Sequence, residues 1–321
     1  MSTDLKSAVL GKLETPGFLR KVRPPHVFVL ERERLSYAGA RGRSKKGDPV
    51  VFSSRSLPPG TFRSGAGGAP VAGEGLAKAI AALKETNGLR SHSATLIVPD
   101  DFVKAIALDV PELPARTSET EEMVRWKVGK AFGEGAHDLR ISWQVAAPGP
   151  AGNRILAIAA SEEAVASWEN PFLAAGIRIG ALESASLAVS TLARGLVGPD
   201  GFVVWAGGDT ATTLFFKEGV VRFLRTRPFV DEIEALQEIR LSASFVDGPG
   251  GADVPLDLAA SCAAGPASSP VVRALRAFRA EAGAADPVEL SRARILSGMK
   301  VEGDGDDPAF LLAAGALAAM E

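Results

Sequence analysis

The chain has 321 residues, of which 46% are hydrophobic and 23% charged, with a formal net charge of −2. That length can bury a sizeable core in one large or two ordinary domains, and the composition excludes a disordered chain. No apolar stretch reaches the roughly 20 residues of a membrane helix, and the first fifteen residues lack the apolar core of a secretion signal. A single cysteine, Cys262, excludes an internal disulfide framework and fits a reducing cytoplasm.

Charge is unevenly spread. Residues 1–63 carry 13 Lys and Arg against 5 Asp and Glu, so the acidic excess lies in the remainder. A basic leading segment suits an acidic partner or an anionic membrane surface, although Arg41, Arg43, Lys45 and Lys46 could simply solvate a hairpin loop. Aromatic residues are not interleaved with these charges, so no nucleic-acid partner is expected.

Residues 1–24 have weak periodicity and end at Pro24-Pro25, which suits a loosely held leader. Alternation over His26–Ala38 predicts a hairpin turning at Glu31–Arg34, with a third strand over Asp48–Ser53. Leu76, Ile80 and Leu83 recur at helical spacing, and Asn87-Gly88 stops that helix. A strand over Ala94–Val98 ends in Pro99-Asp100-Asp101, and Val103–Leu108 alternates as another. Ser118 with Glu121 has the spacing of a capping box for a helix bearing Val124, Val128 and Ala131. Strands follow at Leu139–Val145 and Arg154–Ala159, and Ser161 caps a further helix with Glu162 and Glu163 in its first turn. Trp126 and Trp143 read as core residues.

The stretch Gly201–Phe229 predicts a β-meander: strands at Phe202–Trp205, Thr212–Phe216 and Val220–Arg225, the last two joined by Lys217-Glu218-Gly219. Its first turn, Gly207-Gly208-Asp209-Thr210, can bring backbone N–H groups and a hydroxyl close to an anion. Beyond it come a helix over Asp231–Phe245, a strand over Leu256–Ala260 leading to Cys262–Gly265, a helix over Val271–Ala280 and a buried terminal helix within Pro308–Met320.

This meander resembles the second phosphate hairpin of actin-like ATPases, in the form found in the PilM-type proteins of type IV pilus assembly and in FtsA. Gly207 falls on the glycine of their Asp-Ile-Gly triplet and Lys217-Glu218-Gly219 on their Lys-x-Gly hairpin. Ser56–Gly60, Ala175-Gly176-Ile177 with Ala181-Leu182-Glu183, and Asp307–Phe310 match further short passages in the same order. The resemblance implies an α/β, actin-like two-lobe fold with a small inserted α+β subdomain. Residues 1–91 would begin lobe I, 92–178 would form the insert, and 179–321 would form lobe II and the closing helix. It also implies a cytoplasmic scaffold at the inner membrane, binding the tail of a PilN-like assembly protein and pilus motor components, and open to homo-oligomerisation.

Three departures from the family pattern predict a protein that is not an enzyme. The first phosphate turn is Glu31-Arg32-Glu33-Arg34, with no glycine; Trp205 stands where a carboxylate would order metal and water; and only Gly265 remains of a glycine pair at the adenine. The candidate binding residues are therefore Gly207, Gly208, Asp209, Thr210 and Gly265, with no catalytic residue, no metal ligand and no required cofactor, ATP and Mg being what such a remnant would hold. The alternatives are an active actin-like ATPase with Asp209 as its acid, and the cytoplasmic domain of a GspL-like type II secretion component. His26, His92 and His137 are far apart in sequence, so no zinc spacing is present, and the acidic run Glu302–Asp307 lacks the terminal glutamate of an EF-hand loop.

Overall fold

The computed structural model describes residues 24, 26–40, 50–65, 69–90, 92–132, 138–149, 152–246, 260–264, 268–290, 301–302 and 308–318. Alternating residues set β1 (His26–Leu30), β2 (Arg34–Ala40) and β3 (Val50–Ser56) as an antiparallel meander. A short hairpin of β4 (Phe62–Ser64) and β5 (Pro70–Ala72) leads into α1 (Glu74–Thr86), whose Leu76, Ile80 and Leu83 are buried as their spacing predicts. Strand β6 (His92–Val98) returns parallel to β1. The 3-10 turn Asp100–Phe102 then leads to β7 (Lys104–Val110), α2 (Thr117–Phe132), β8 (Leu139–Gly149) and β9 (Gly152–Ser161). Helix α3 (Glu162–Ala174) carries the chain back to β10 (Ile177–Ser184), parallel beside β6.

After α4 (Ala185–Val197) the plan repeats. Strands β11 (Gly201–Gly207), β12 (Thr210–Lys217) and β13 (Val220–Pro228) form a second meander, followed by α5 (Glu232–Val246) and β14 (Ala260–Ala264), parallel to β11. Helix α6 (Pro270–Glu281) and β15 (Val288–Leu290) complete that sheet. Finally β16 (Val301–Glu302) pairs with β3, and α7 (Pro308–Ala318) packs on α4. The two large sheets run β10-β6-β1-β2-β3-β16 and β13-β12-β11-β14-β15, so each has a meander whose first strand is extended by two parallel strands.

Alternation gives each sheet two buried faces. Val27 and Val29 of one sheet and Val203, Trp205 and Leu214 of the other face a shared core filled by α4 and α7. The outer face of the first sheet packs on α1 and α3, where Trp168 is fully buried and donates its Nε1–H to the Pro70 carbonyl at 2.8 Å. The outer face of the second sheet packs on α5 and α6. A separate small core joins α2 to the three-stranded sheet β7-β9-β8.

Several local expectations differ. The strand at 92–98 and the helix and strand over 162–184 belong to the first large sheet and its helix layer, so the sheet with its own core is confined to 104–161 within the interval 92–178. Helix α2 begins at Thr117, which places Ser118 inside the first turn instead of at the cap; the Arg116 carbonyl accepts from Thr120 N. Ser161 does cap α3, accepting from Ala164 N at 3.3 Å. Trp143 packs against the small core, but Trp126 is 63% exposed, because it lies two residues from the buried Val124 and so on the opposite side of the helix. Of the expected strands at 48–53 and 256–260, residues 48–49 and 256–259 lie outside the described residues, as does the leader up to Arg23. The Lys217–Gly219 turn is a two-residue loop in which Glu218 (φ 54°) and Gly219 (φ 74°) both adopt the left-handed region, the primed geometry that matches strand twist.

Candidate functional site

The Gly207–Thr210 turn sits at the tip of the β11–β12 hairpin, where Gly207 pairs with Thr210 and Gly208-Asp209 forms the loop, with Gly208 at φ 62°. Its hydroxyl is turned inward: Thr210 Oγ1 donates to the Gly207 carbonyl at 2.8 Å, and the Asp209 carbonyl accepts from Phe229 N at 3.0 Å. Trp205, two residues back on the same face, is 3% exposed and lies under Gly207, with its Nε1 only 2.7 Å from where a Cβ on Gly207 would sit. That Nε1–H is buried without a hydrogen-bond partner. The structure thus brings four of the candidate residues together in one turn and closes its inner side with an indole. Gly265 lies outside the described residues.

On the opposing side, the Glu31–Arg34 turn is closed by Glu31 N donating to the Arg34 carbonyl, and Arg32 pairs with Asp101 while lying over the Phe102 ring. No glycine opens this turn to a ligand, and its two cations are engaged by the protein, Arg32 with Asp101 and Arg34 with Glu31 at 3.5 Å.

Between the two hairpins lies a polar cluster that sequence reasoning missed. Asp100, buried at the C-terminal end of β6, accepts from Ser186 N (3.1 Å) and Ser186 Oγ (2.8 Å) in the first turn of α4. Its other carboxyl oxygen accepts from Thr212 Oγ1 at 2.8 Å, across the lobe boundary on β12, and Thr212 bonds in turn to Thr226 at 2.9 Å. Trp205, Thr212 and Thr226 form one cross-strand row facing lobe I. The available signal was the run of threonines Thr210, Thr212 and Thr213 in a strand that is otherwise buried, but the partner of Thr212 is 112 residues away.

Burial pushes the Asp100 carboxyl above its ordinary value of 3.8, and the bonds from Ser186 and Thr212 pull it back only in part. The folded chain then keeps this proton to higher pH than the unfolded chain. The associated stability is fully present below the ordinary pKa and is lost as pH rises through the native one. Wild-type stability relative to Asp100→Asn should therefore fall as pH rises from about 4, measured by urea denaturation at a series of pH values. A relative stability that grows with pH would show that the carboxylate, not the acid, is the favoured buried form.

Histidines far apart in sequence do meet: His26 and His92 have ring centroids 4.5 Å apart, with His26 Nδ1 bonded to the Tyr37 hydroxyl at 2.8 Å. Among the described residues no group of three or more His, Cys, Asp or Glu could hold a metal, and no helix is long and apolar enough to cross a membrane.

Solved structures share this fold. The protein of a PilM–PilN type IV pilus biogenesis complex aligns over 94% of this chain and 99% of its own, at 17% identity and a TM-score of 0.71. This chain has the PilM-type actin-like fold. The cytoplasmic domain of EpsL, an inner-membrane component of the Vibrio cholerae type II secretion system, aligns over 91% and 94% of the two chains at 12% identity and a TM-score of 0.51. A Bacteroides thetaiotaomicron protein with an actin-like ATPase fold aligns over 87% and 95% at 9% identity and a TM-score of 0.46. No protein-family model matches the chain, and no curated protein matches it. Within this fold, the bond from Thr212 to Asp100 joins the second large sheet to the end of β6 in the first.

Proposed function

We propose that this chain is an actin-like scaffold of type IV pilus assembly, cytoplasmic and peripheral to the inner membrane, that binds the tail of a PilN-like assembly protein without hydrolysing ATP. The observation that carries the reading is the likeness to the PilM–PilN protein over 94% of this chain and 99% of that one. Fold likeness alone does not assign activity, so the absence of hydrolysis rests on the cleft. Phosphoryl transfer needs a positioned nucleophile and metal-assisted charge stabilisation. Here the indole of Trp205 lies beneath the glycine turn, and Arg32 of the first turn is engaged with Asp101.

The three-stranded unit over 104–161, inside the 92–178 interval, is the proposed tail-docking element, between lobes formed by 1–91 and 179–321. Gly207, Gly208, Asp209, Thr210 and Gly265 would give at most weak anion or nucleotide binding. The likeness to the EpsL domain supports a type II secretion role by the same logic, at lower overlap.

Titration of the protein with the cytoplasmic tail peptide of a PilN-like partner should show binding by calorimetry with no nucleotide present. ATP with Mg²⁺ should release no phosphate above a protein-free control. A ligand at 100 times its dissociation constant stabilises by about 2.7 kcal/mol, so genuine tight nucleotide binding would be plain in a melting curve. Tail binding that requires ATP, or phosphate release that vanishes in Asp209→Ala, overturns the scaffold reading and makes Asp209 catalytic.

A further inference from the structure

The surroundings of Asp100 are those of an anion site. The first turn of a helix offers unpaired N–H groups and the positive end of its dipole, which favour an oxyanion. Here α4, thirteen residues long, has no side-chain cap from its own Ser184, and the Asp100 carboxyl takes Ser186 N and Ser186 Oγ instead. Ser184 Oγ is fully buried, makes no hydrogen bond of ordinary geometry, and nevertheless faces the same carboxyl. Thr212 supplies a further donor from the other lobe. Four polar groups from two lobes therefore converge on one carboxyl, and among the described residues no Lys, Arg or His forms an ion pair with it.

We propose that Asp100 is a tethered ligand: its carboxyl group fills the oxyanion site at the head of α4 and, through Thr212, clasps the two lobes together without any bound molecule. The clasp explains how a PilM-type fold keeps its lobes in register when the cleft no longer turns over nucleotide, and to that extent it rests on the reading above. It also makes the site unavailable to an external oxyanion, a small carboxylate or the phosphate of a nucleotide, while Asp100 is in place.

Chemical rescue tests it. Asp100→Gly removes the carboxyl and leaves Ser184, Ser186 and Thr212 as donors, so the variant should melt lower than the wild type. Sodium formate should raise its melting temperature in a concentration-dependent way, relative to sodium chloride at equal ionic strength, while the wild type shows no such response. Equal formate effects on both proteins, or none on the variant, overturn the proposal. If Asp100→Gly does not fold, Thr212→Val serves, since it removes only the donor from lobe II. Amide exchange at the Gly207–Thr210 turn should then quicken by up to about tenfold, the upper range for losing one buried hydrogen bond, while the Ser186 amide stays protected. Unchanged exchange at the turn overturns the clasp. Phosphate release from ATP by the wild type would instead overturn the scaffold reading and leave the outcome of the rescue experiment to stand by itself.

Discussion

Gly315→Ala should lower the unfolding free energy by about 2–3 kcal/mol, the upper range for overpacking a core. Gly315 lies on α7 where it crosses α4, and a Cβ there would sit 2.2 Å from the Ala188 carbonyl oxygen, 2.8 Å from its carbon and 3.4 Å from Val189 N. All three are backbone atoms of a helix and cannot swing aside as a long side chain can. In an open helix, alanine would gain almost 1 kcal/mol over glycine through propensity, so the sign of the effect discriminates between the two terms. Helix α7 also carries Phe310, which meets Phe52 edge-on at 5.8 Å, and Leu312 and Ala313 into the shared core. Displacing it therefore loosens lobe I as well as the helix pair. Thermal denaturation of the variant decides: a melting temperature equal to or above that of the wild type would mean that α7 does not pack on α4 at this distance.

Trp205→Asp, which places an acid where the family resemblance expects one, should unfold the protein or cost more than about 4 kcal/mol, and should not create an ATPase. Removing a buried tryptophan costs about 3–5 kcal/mol. The new carboxyl would also lie in the Trp205–Thr212 pair, beside the buried Asp100 that Thr212 bonds, where a second buried carboxyl loses its hydration with no cation on either strand position to pair with. Trp205→Phe is the control. It keeps most of the ring volume and deletes an N–H that has no partner, so its cost should stay below about 1.5 kcal/mol. Should Trp205→Asp denature at the same urea concentration as the wild type, the indole would not be closing the cleft, and the reading of this hairpin as a converted site would fail.

Local periodicity was enough to locate the meanders, the stripe of α1 and the Ser161 cap, because alternation and 3.6-residue spacing arise within a few residues of chain, whereas the two-lobe plan came from the family resemblance. It also marked the Gly207–Thr210 turn, since glycine pairs between alternating strands have few other uses. Tertiary structure alone decided which strands share a sheet. Strands β6 and β10 join β1 through parallel pairing, whose register depends on contacts across about sixty to eighty residues of intervening sequence and leaves no local signature. It likewise decided that Trp126 faces solvent, that Thr210 spends its hydroxyl on its own turn, and that Trp205 lies beneath Gly207. Above all it made Asp100 a central residue. In the sequence it is one acid after a proline; in the fold, desolvation and donors from Ser186 and Thr212, 86 and 112 residues away, turn it into the buried link between the lobes.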